Sequence, residues 1–331
     1  METRTLGKTG LKVSALGFGC GAVGGLMVRG EPADQTGAVV RALELGINYF
    51  DTAPLYGNGE SEKNLGKVLA ALRPDVFVGT KVRVAQAAFG RIADAVTASL
   101  EARLRRLRRE QADLLQLHNH IRRDTNGDAI AAESVLEEVV PALQRLQQQG
   151  KIRFYGITAI GDTGALHRVV DSGAIATAQV VYNLLNPSAG ATLGQGFPAH
   201  DFRNLLERTA KANVGVICIR VLAAGALSGV ETRHPLGSPV VEPIASGADY
   251  HADVERARQF DALVREGYAD SLIEAALRFV IAHDAVATAL VGYSTLAQLE
   301  YAAACVNKGP LPPAALNRLA NLQAASTSQR Q

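Results

Sequence analysis

The feature that most narrows the fold of this chain is an alternation. Short apolar runs change places with amphipathic segments eight times along 331 residues, with no shift in composition between the two halves. The runs fall at residues 15–18, 47–50, 76–80, 113–117, 153–157, 178–181, 215–219 and 289–291. Each is short and mostly apolar, the pattern of a buried strand. Helical periodicity fills the gaps at 33–45, 61–72, 92–109, 133–149, 164–172, 202–212 and 270–283. Two further helices are expected at 296–306 and from residue 312 onward. Strands that alternate with helices form a parallel sheet, and eight such units at this length predict a (β/α)₈ TIM barrel. We read residues 1–331 as one domain. The competing fold is an open doubly wound sheet, which usually carries a glycine-rich phosphate loop leading from its first strand into a helix. Here Gly17, Gly19, Gly21, Gly24 and Gly25 follow the first strand without leading directly into one.

Two segments stand outside the alternation. Residues 3–13 predict a small N-terminal hairpin with Gly7 and Gly10 at its turn. Residues 222–267, rich in Gly, Pro and Ser, predict a long irregular loop between strands seven and eight. Connections of that length commonly cover a site, and this position in a barrel is a common phosphate-binding region. We expect a lid or cofactor loop.

Charge and cysteine content exclude several classes of function. A net charge of +2 gives no electrostatic case for nucleic acid or an anionic membrane as partner. The arginine-rich stretch 100–110 keeps Leu100, Leu104 and Leu107 on one face, as a solvated amphipathic helix does. No stretch is long and apolar enough to span a bilayer, and the N-terminus lacks a run of signal-peptide length. Cys20, Cys218 and Cys305 lie far apart in apolar surroundings and read as free thiols. The expected location is the cytoplasm.

Four polar residues carry the chemistry. Asp51 ends the second run, Lys81 follows the third, His118 follows the fourth, and Tyr56 lies in the loop after Asp51. All four belong to the carboxyl ends of their strands, the catalytic face of such a barrel. Neighbouring strands lie roughly 5 Å apart, so Asp51 and Lys81 can meet. An unpartnered buried carboxylate is costly, which makes packing a poor reason for Asp51.

These residues sit in GINYFDTAPLYGNGESEKNLG (46–66), TKV (80–82) and DLLQLHNH (113–120). In order and spacing these segments resemble the signature of the aldo-keto reductase superfamily. YGIT (155–158), QVVYN (179–183), LAAGALSG (222–229) and VGYSTLAQLE (291–300) are similar to its cofactor-binding segments. The resemblance implies that Tyr56 is the general acid for a carbonyl oxygen as hydride arrives from a nicotinamide cofactor. It implies that Lys81 assists Tyr56, Asp51 holds Lys81, and His118 orients the carbonyl. A free phenol holds its proton near neutrality (pKa roughly 10), and an adjacent ammonium favours the phenolate.

By the same resemblance Thr158 and Gln179 face the nicotinamide amide. Gly19, Asp51, Ile219, Arg220, Leu222, Ala224 and Gly225 follow the rest of the dinucleotide, and Gly292, Ser294 and Gln298 hold its phosphate end. Ile219 stands where relatives often stack an aromatic ring, and Gln298 where a basic residue is common. NADP(H) is favoured on family grounds and NAD(H) is the alternative. Substrate contacts are expected from Gly21, Leu55, Arg83, Asn119 and His120, toward a small-molecule carbonyl or a sugar. Two alternatives stand beside carbonyl reduction: an NAD-dependent aldose dehydrogenase working oxidatively, and a nucleotide-sensing module without significant turnover. The sequence leaves monomer and homo-oligomer undecided.

Overall fold

All eight apolar runs form parallel strands: Leu16–Gly19, Tyr49–Asp51, Phe77–Val82, Ala112–Leu117, Ile152–Thr158, Thr177–Val181, Gly215–Ile219 and Val286–Gly292. They pair in chain order, and the eighth closes on the first with Ala289 opposite Leu16 and Gly292 opposite Gly19. The result is a closed (β/α)₈ barrel with a two-stranded N-terminal hairpin, Thr3–Thr5 against Lys12–Ser14. This computed structural model describes residues 1–193 and 197–328.

The expected helices pack outside the strands, because a strand buried on both faces needs an apolar cover. Their ends follow local chemistry. Pro32 opens the helix Pro32–Glu44 from its first turn, where a missing N–H costs nothing. Ser271 and Thr295 cap the helices Leu272–Val280 and Leu296–Asn307 by accepting from the backbone N–H three residues on. Two helices differ from the periodicity. The one expected at 202–212 spans only Leu205–Lys211, since Arg203 and Asn204 take left-handed conformations. The one expected at 133–149 contains a π-helical turn at Val135–Val139. A short two-stranded ladder after the fourth strand, Ile121–Arg122 with Ile130–Ala131, had no sequence signal. No helix among the described residues is long and apolar enough to cross a membrane.

The long connection is a correction. Residues 222–267 are not irregular throughout: a 3₁₀ segment Ala223–Ser228 and the helices Tyr250–Arg258 and Asp261–Arg265 lie within them. Between these, residues 229–249 form a strap without helix or strand.

The hairpin closes the amino-terminal end of the barrel. Leu6, Leu11 and Val13 pack in one buried cluster with Tyr49, Leu114, Ile217 and Ala287 from the barrel strands. Gly215 makes room for this plug, as a Cβ there would lie 2.6 Å from the Leu6 carbonyl carbon. Leu6 is fully buried at this end, away from the strand termini that carry Asp51 and Lys81. Leu6→Ala is therefore expected to lower unfolding free energy by about 2–5 kcal/mol in urea titrations. The turnover of the folded fraction should stay at the wild-type level.

Candidate active site

Strand register brings the charged residues together. Asp51 lies opposite Gly79, and Lys81 stands two residues further along the same strand face. Gly79 leaves the space the carboxylate needs: a Cβ there would fall 2.5 Å from the Tyr49 hydroxyl and 3.3 Å from Asp51 Oδ2. Asp51 and Lys81 are 1% and 2% exposed and form an ion pair through Oδ1 and Nζ. Lys81 Nζ also donates to the Thr52 carbonyl at 3.0 Å and to the Tyr56 hydroxyl at 3.2 Å. Each of the three ammonium hydrogens therefore has its own acceptor. Burial works against the Lys81 charge, but Asp51 and Tyr56 outweigh it and hold the amine above its ordinary range.

The second carboxylate oxygen is equally engaged. Asp51 Oδ2 accepts from Gln179 Nε2 at 2.7 Å and from the Tyr49 hydroxyl at 3.1 Å. Gln179 Oε1 in turn accepts from Thr158 Oγ1 at 3.0 Å, across the register that sets Gln179 opposite Thr158. Burial first, and then Asp51, push the Tyr49 phenol well up, so it stays a donor. The two tyrosines near Asp51 thus differ: Tyr49 is fully buried, and Tyr56 lines an open cavity.

His118 meets Val82 through its backbone, its N–H donating to the Val82 carbonyl at 2.7 Å. Its Nδ1 is buried with no hydrogen-bond partner among the described residues. Burial, with Lys81, Arg83 and His120 nearby, pushes the imidazole down to about 3, so the ring is neutral near pH 7.

These groups share the wall of a cavity of about 590 Å³ at the carboxyl ends of the strands. That volume lies within the ~300–1,000 Å³ of small-molecule and cofactor sites. Asp51, Tyr56, Lys81 and His118 stand at one end, beside Gly19, Gly21, Leu55, Thr158 and Gln179. Ile219, Arg220, Leu222, Ala224 and Gly225 form a side wall, and Gly292, Ser294 and Gln298 lie along the eighth strand's end. There Thr295 caps a helix, and the Ser294 N–H donates to Gln298 Oε1 at 2.8 Å. Among the described lining residues Asp51 supplies the one carboxylate, already paired, against the cations Lys81, Arg220 and Arg233. The cavity thus has a cationic balance that suits a polyanionic guest.

Three expected substrate residues do not line this cavity, and the structure gives them other partners. Arg83 forms an exposed ion pair with Asp128 at 2.9 Å. The Asn119 side chain is consumed by its own loops, accepting from the Val84 N–H at 2.9 Å and donating to the Val84 and Asp128 carbonyls. His120 is exposed, with its carbonyl accepting from the Ile130 N–H at 2.9 Å. Arg233 and Tyr250, by contrast, line the cavity from within the 222–267 segment expected as a lid or cofactor loop, though neither was singled out in the sequence. The Arg233 guanidinium stacks on the Tyr250 ring at 5.0 Å and donates to the carbonyls of Ala224, Ser238 and Val23.

The profile of the Aldo/keto reductase family matches residues 15–324. L-galactose dehydrogenase of Arabidopsis thaliana is 32% identical over 313 residues, covering 93% of this chain and 89% of that one. Among solved structures, an aldo-keto reductase of Bacillus halodurans in its holo form superposes with a TM-score of 0.72 at 27% identity, covering 97% and 96%. An aldo-keto reductase of Klebsiella pneumoniae in complex with NADPH reaches 0.68 at 22% identity, covering 98% and 95%, a likeness of fold.

The half-buried imidazole makes stability depend on pH. With a folded value of about 3 and an unfolded value near 6.5, the unfolded chain binds this proton first as pH falls. The neutral, half-buried His118 therefore favours folding above about pH 6.5, and that contribution is lost progressively toward pH 3. NMR of the His118 ring protons should show no titration between about pH 5 and 8. His118→Gln should flatten the acid side of the stability curve.

Proposed function

The chain belongs to the Aldo/keto reductase family, and from that premise we propose that it transfers hydride between a nicotinamide dinucleotide and a small carbonyl compound or the corresponding alcohol. The observation that carries this reading is the sharing of the Lys81 ammonium among Asp51, the Thr52 carbonyl and the Tyr56 hydroxyl at the cavity wall.

The residues present fit the dinucleotide. The Thr158–Gln179 hydrogen-bonded pair lines the cavity next to the catalytic end, with the side-chain donors and acceptors a carboxamide needs. Ser294 lies beside the capped start of helix Leu296–Asn307, where backbone dipoles favour phosphate. Arg220 and Arg233 line the wall as cations for a pyrophosphate. When bound, the dinucleotide supplies or accepts the hydride, with NADP(H) and NAD(H) as its two forms.

This chain's own residues handle the proton. The Tyr56 O–H donates to the carbonyl oxygen in reduction, and the phenolate takes a proton back from the alcohol in oxidation. The Lys81 ammonium, 3.2 Å from the Tyr56 hydroxyl oxygen, steadies the negative charge left on the phenolate. Asp51 keeps the ammonium charged in a site that would otherwise favour the neutral amine. Neutral His118 can orient the carbonyl by a hydrogen bond without adding charge. Leu55 and Gly21 border the substrate end, and a Cβ at Gly21 would reach 3.6 Å from the Tyr56 ring.

One observation favours a second reading, oxidation of an aldose: the 32% match to L-galactose dehydrogenase along nearly the whole of both chains. The neutral side chains of Ser294 and Gln298 are compatible with NAD(H) in that role. Rates measured with NAD and NADP, reducing a nitrobenzaldehyde and oxidising a panel of aldoses, separate the two readings. The first expects faster reduction of the aldehyde, the second faster oxidation of a sugar.

Tyr56→Phe is expected to lower kcat by about 10²–10⁴-fold, while dinucleotide affinity by calorimetry stays within about two-fold of wild type. Unchanged turnover would remove Tyr56 from the role of acid. Lys81→Met should lower kcat on a similar scale and also destabilise the fold, because it leaves the buried Asp51 unpaired.

A further inference from the structure

Tyr56 stands on a loop, so closure of the barrel does not by itself bring its hydroxyl to Lys81. The loop is anchored by the first turn of the helix Glu60–Leu72 that follows it. The Ser61 N–H donates to the Tyr56 carbonyl at 3.2 Å. Ser61 Oγ donates to the Cys20 carbonyl at 2.8 Å and lies 2.8 Å from Thr52 Oγ1. Glu62 is 0% exposed, an expensive place for a carboxylate, and both its oxygens are engaged. Oε1 accepts from Thr80 Oγ1 at 2.6 Å, and Oε2 accepts from Arg106 Nε at 2.6 Å.

Thr80 is the residue before Lys81 on the third barrel strand. Arg106 belongs to the helix Ile92–Leu107, and Arg103 of the same helix donates to the Lys81 carbonyl at 2.6 Å. The strand segment carrying the ammonium and the turn carrying the phenol are therefore tied to one buried carboxylate and its arginine neighbour. Glu62 itself bonds to Thr80 and Arg106 and not to the Asp51 or Lys81 head groups, and the two networks meet at Thr52, whose hydroxyl lies beside Ser61 and whose carbonyl accepts from Lys81.

We propose that Glu62, held by Thr80 and Arg106, is a positioning residue for proton transfer: it sets the reach between the Tyr56 hydroxyl and the Lys81 ammonium. The assignment rests on the reading of Tyr56 as the acid. A displacement of about 1 Å at a reacting group can cost about 10²-fold in rate, so a residue that never meets substrate can govern kcat.

Glu62→Gln and Thr80→Val test it, each compared with wild type and combined with Tyr56→Phe. Thr80→Val is near-isosteric and removes only the hydroxyl, so it serves if Glu62→Gln folds poorly; circular dichroism checks both. The expected result is a loss of at least about ten-fold in kcat, with KM and the calorimetric dinucleotide Kd within about two-fold of wild type. In the Tyr56→Phe background the same substitutions should cause no further loss, since the positioned group is absent. Wild-type kcat in both variants, or an equal loss with and without the phenol, would overturn the proposal. So would a loss expressed in KM or Kd. Failure of the underlying reading looks different, because Tyr56→Phe alone would then keep its activity.

Discussion

The site depends on one interaction, the buried ion pair between Asp51 and Lys81. Either charge alone would be intolerable among the surrounding apolar strands, and each is present because the other is. The pair is also polarised in a useful direction. Asp51 spends one oxygen on the ammonium and the other on Gln179 and Tyr49, which leaves Lys81 free to direct its last hydrogen at Tyr56. Gln179 links this network to Thr158, so the groups proposed to hold the dinucleotide and those proposed to handle the proton share one carboxylate. Moving one would disturb the other.

Much of this was legible in the sequence, for a physical reason. A strand covered on both faces in a parallel barrel is mostly apolar, so an ionisable residue at the end of an apolar run is conspicuous. Asp51, Lys81 and His118 stand out that way, and the eight runs themselves disclose the barrel. Lys81 lies one step deeper than its run suggested, within Phe77–Val82, because the ion pair lets the strand continue past a charge. The resemblance to known reductases then supplied the cavity wall from Gly19 to Gln298.

The remainder was hidden because it depends on direction and long-range pairing. Arg83, Asn119 and His120 follow strand ends as closely as Asp51, Lys81 and His118 do, yet their side chains lie outside the cavity wall. Adjacency in sequence says nothing about which side of a loop a side chain takes. Glu62 and Arg106 are 44 positions apart and look like ordinary surface charges of two amphipathic helices. The helix Tyr250–Arg258 went unseen because it buries only Asp253, Val254 and Ala257, too narrow a stripe for periodicity to reveal. Positive φ angles at Ala223 and Ala224 likewise leave no trace in composition.

The hairpin at the base has a consequence for traffic through the molecule. With Leu6, Leu11 and Val13 wedged under Tyr49, Leu114 and Ile217, the barrel is a cup, not a tube. The cavity that Tyr56 lines lies at the opposite end, walled by strand-end loops and by residues of the strap. Met1 packs beside Gly46, in the loop that leads into the second barrel strand, so residue 1 lies at the underside with the plug and away from the rim.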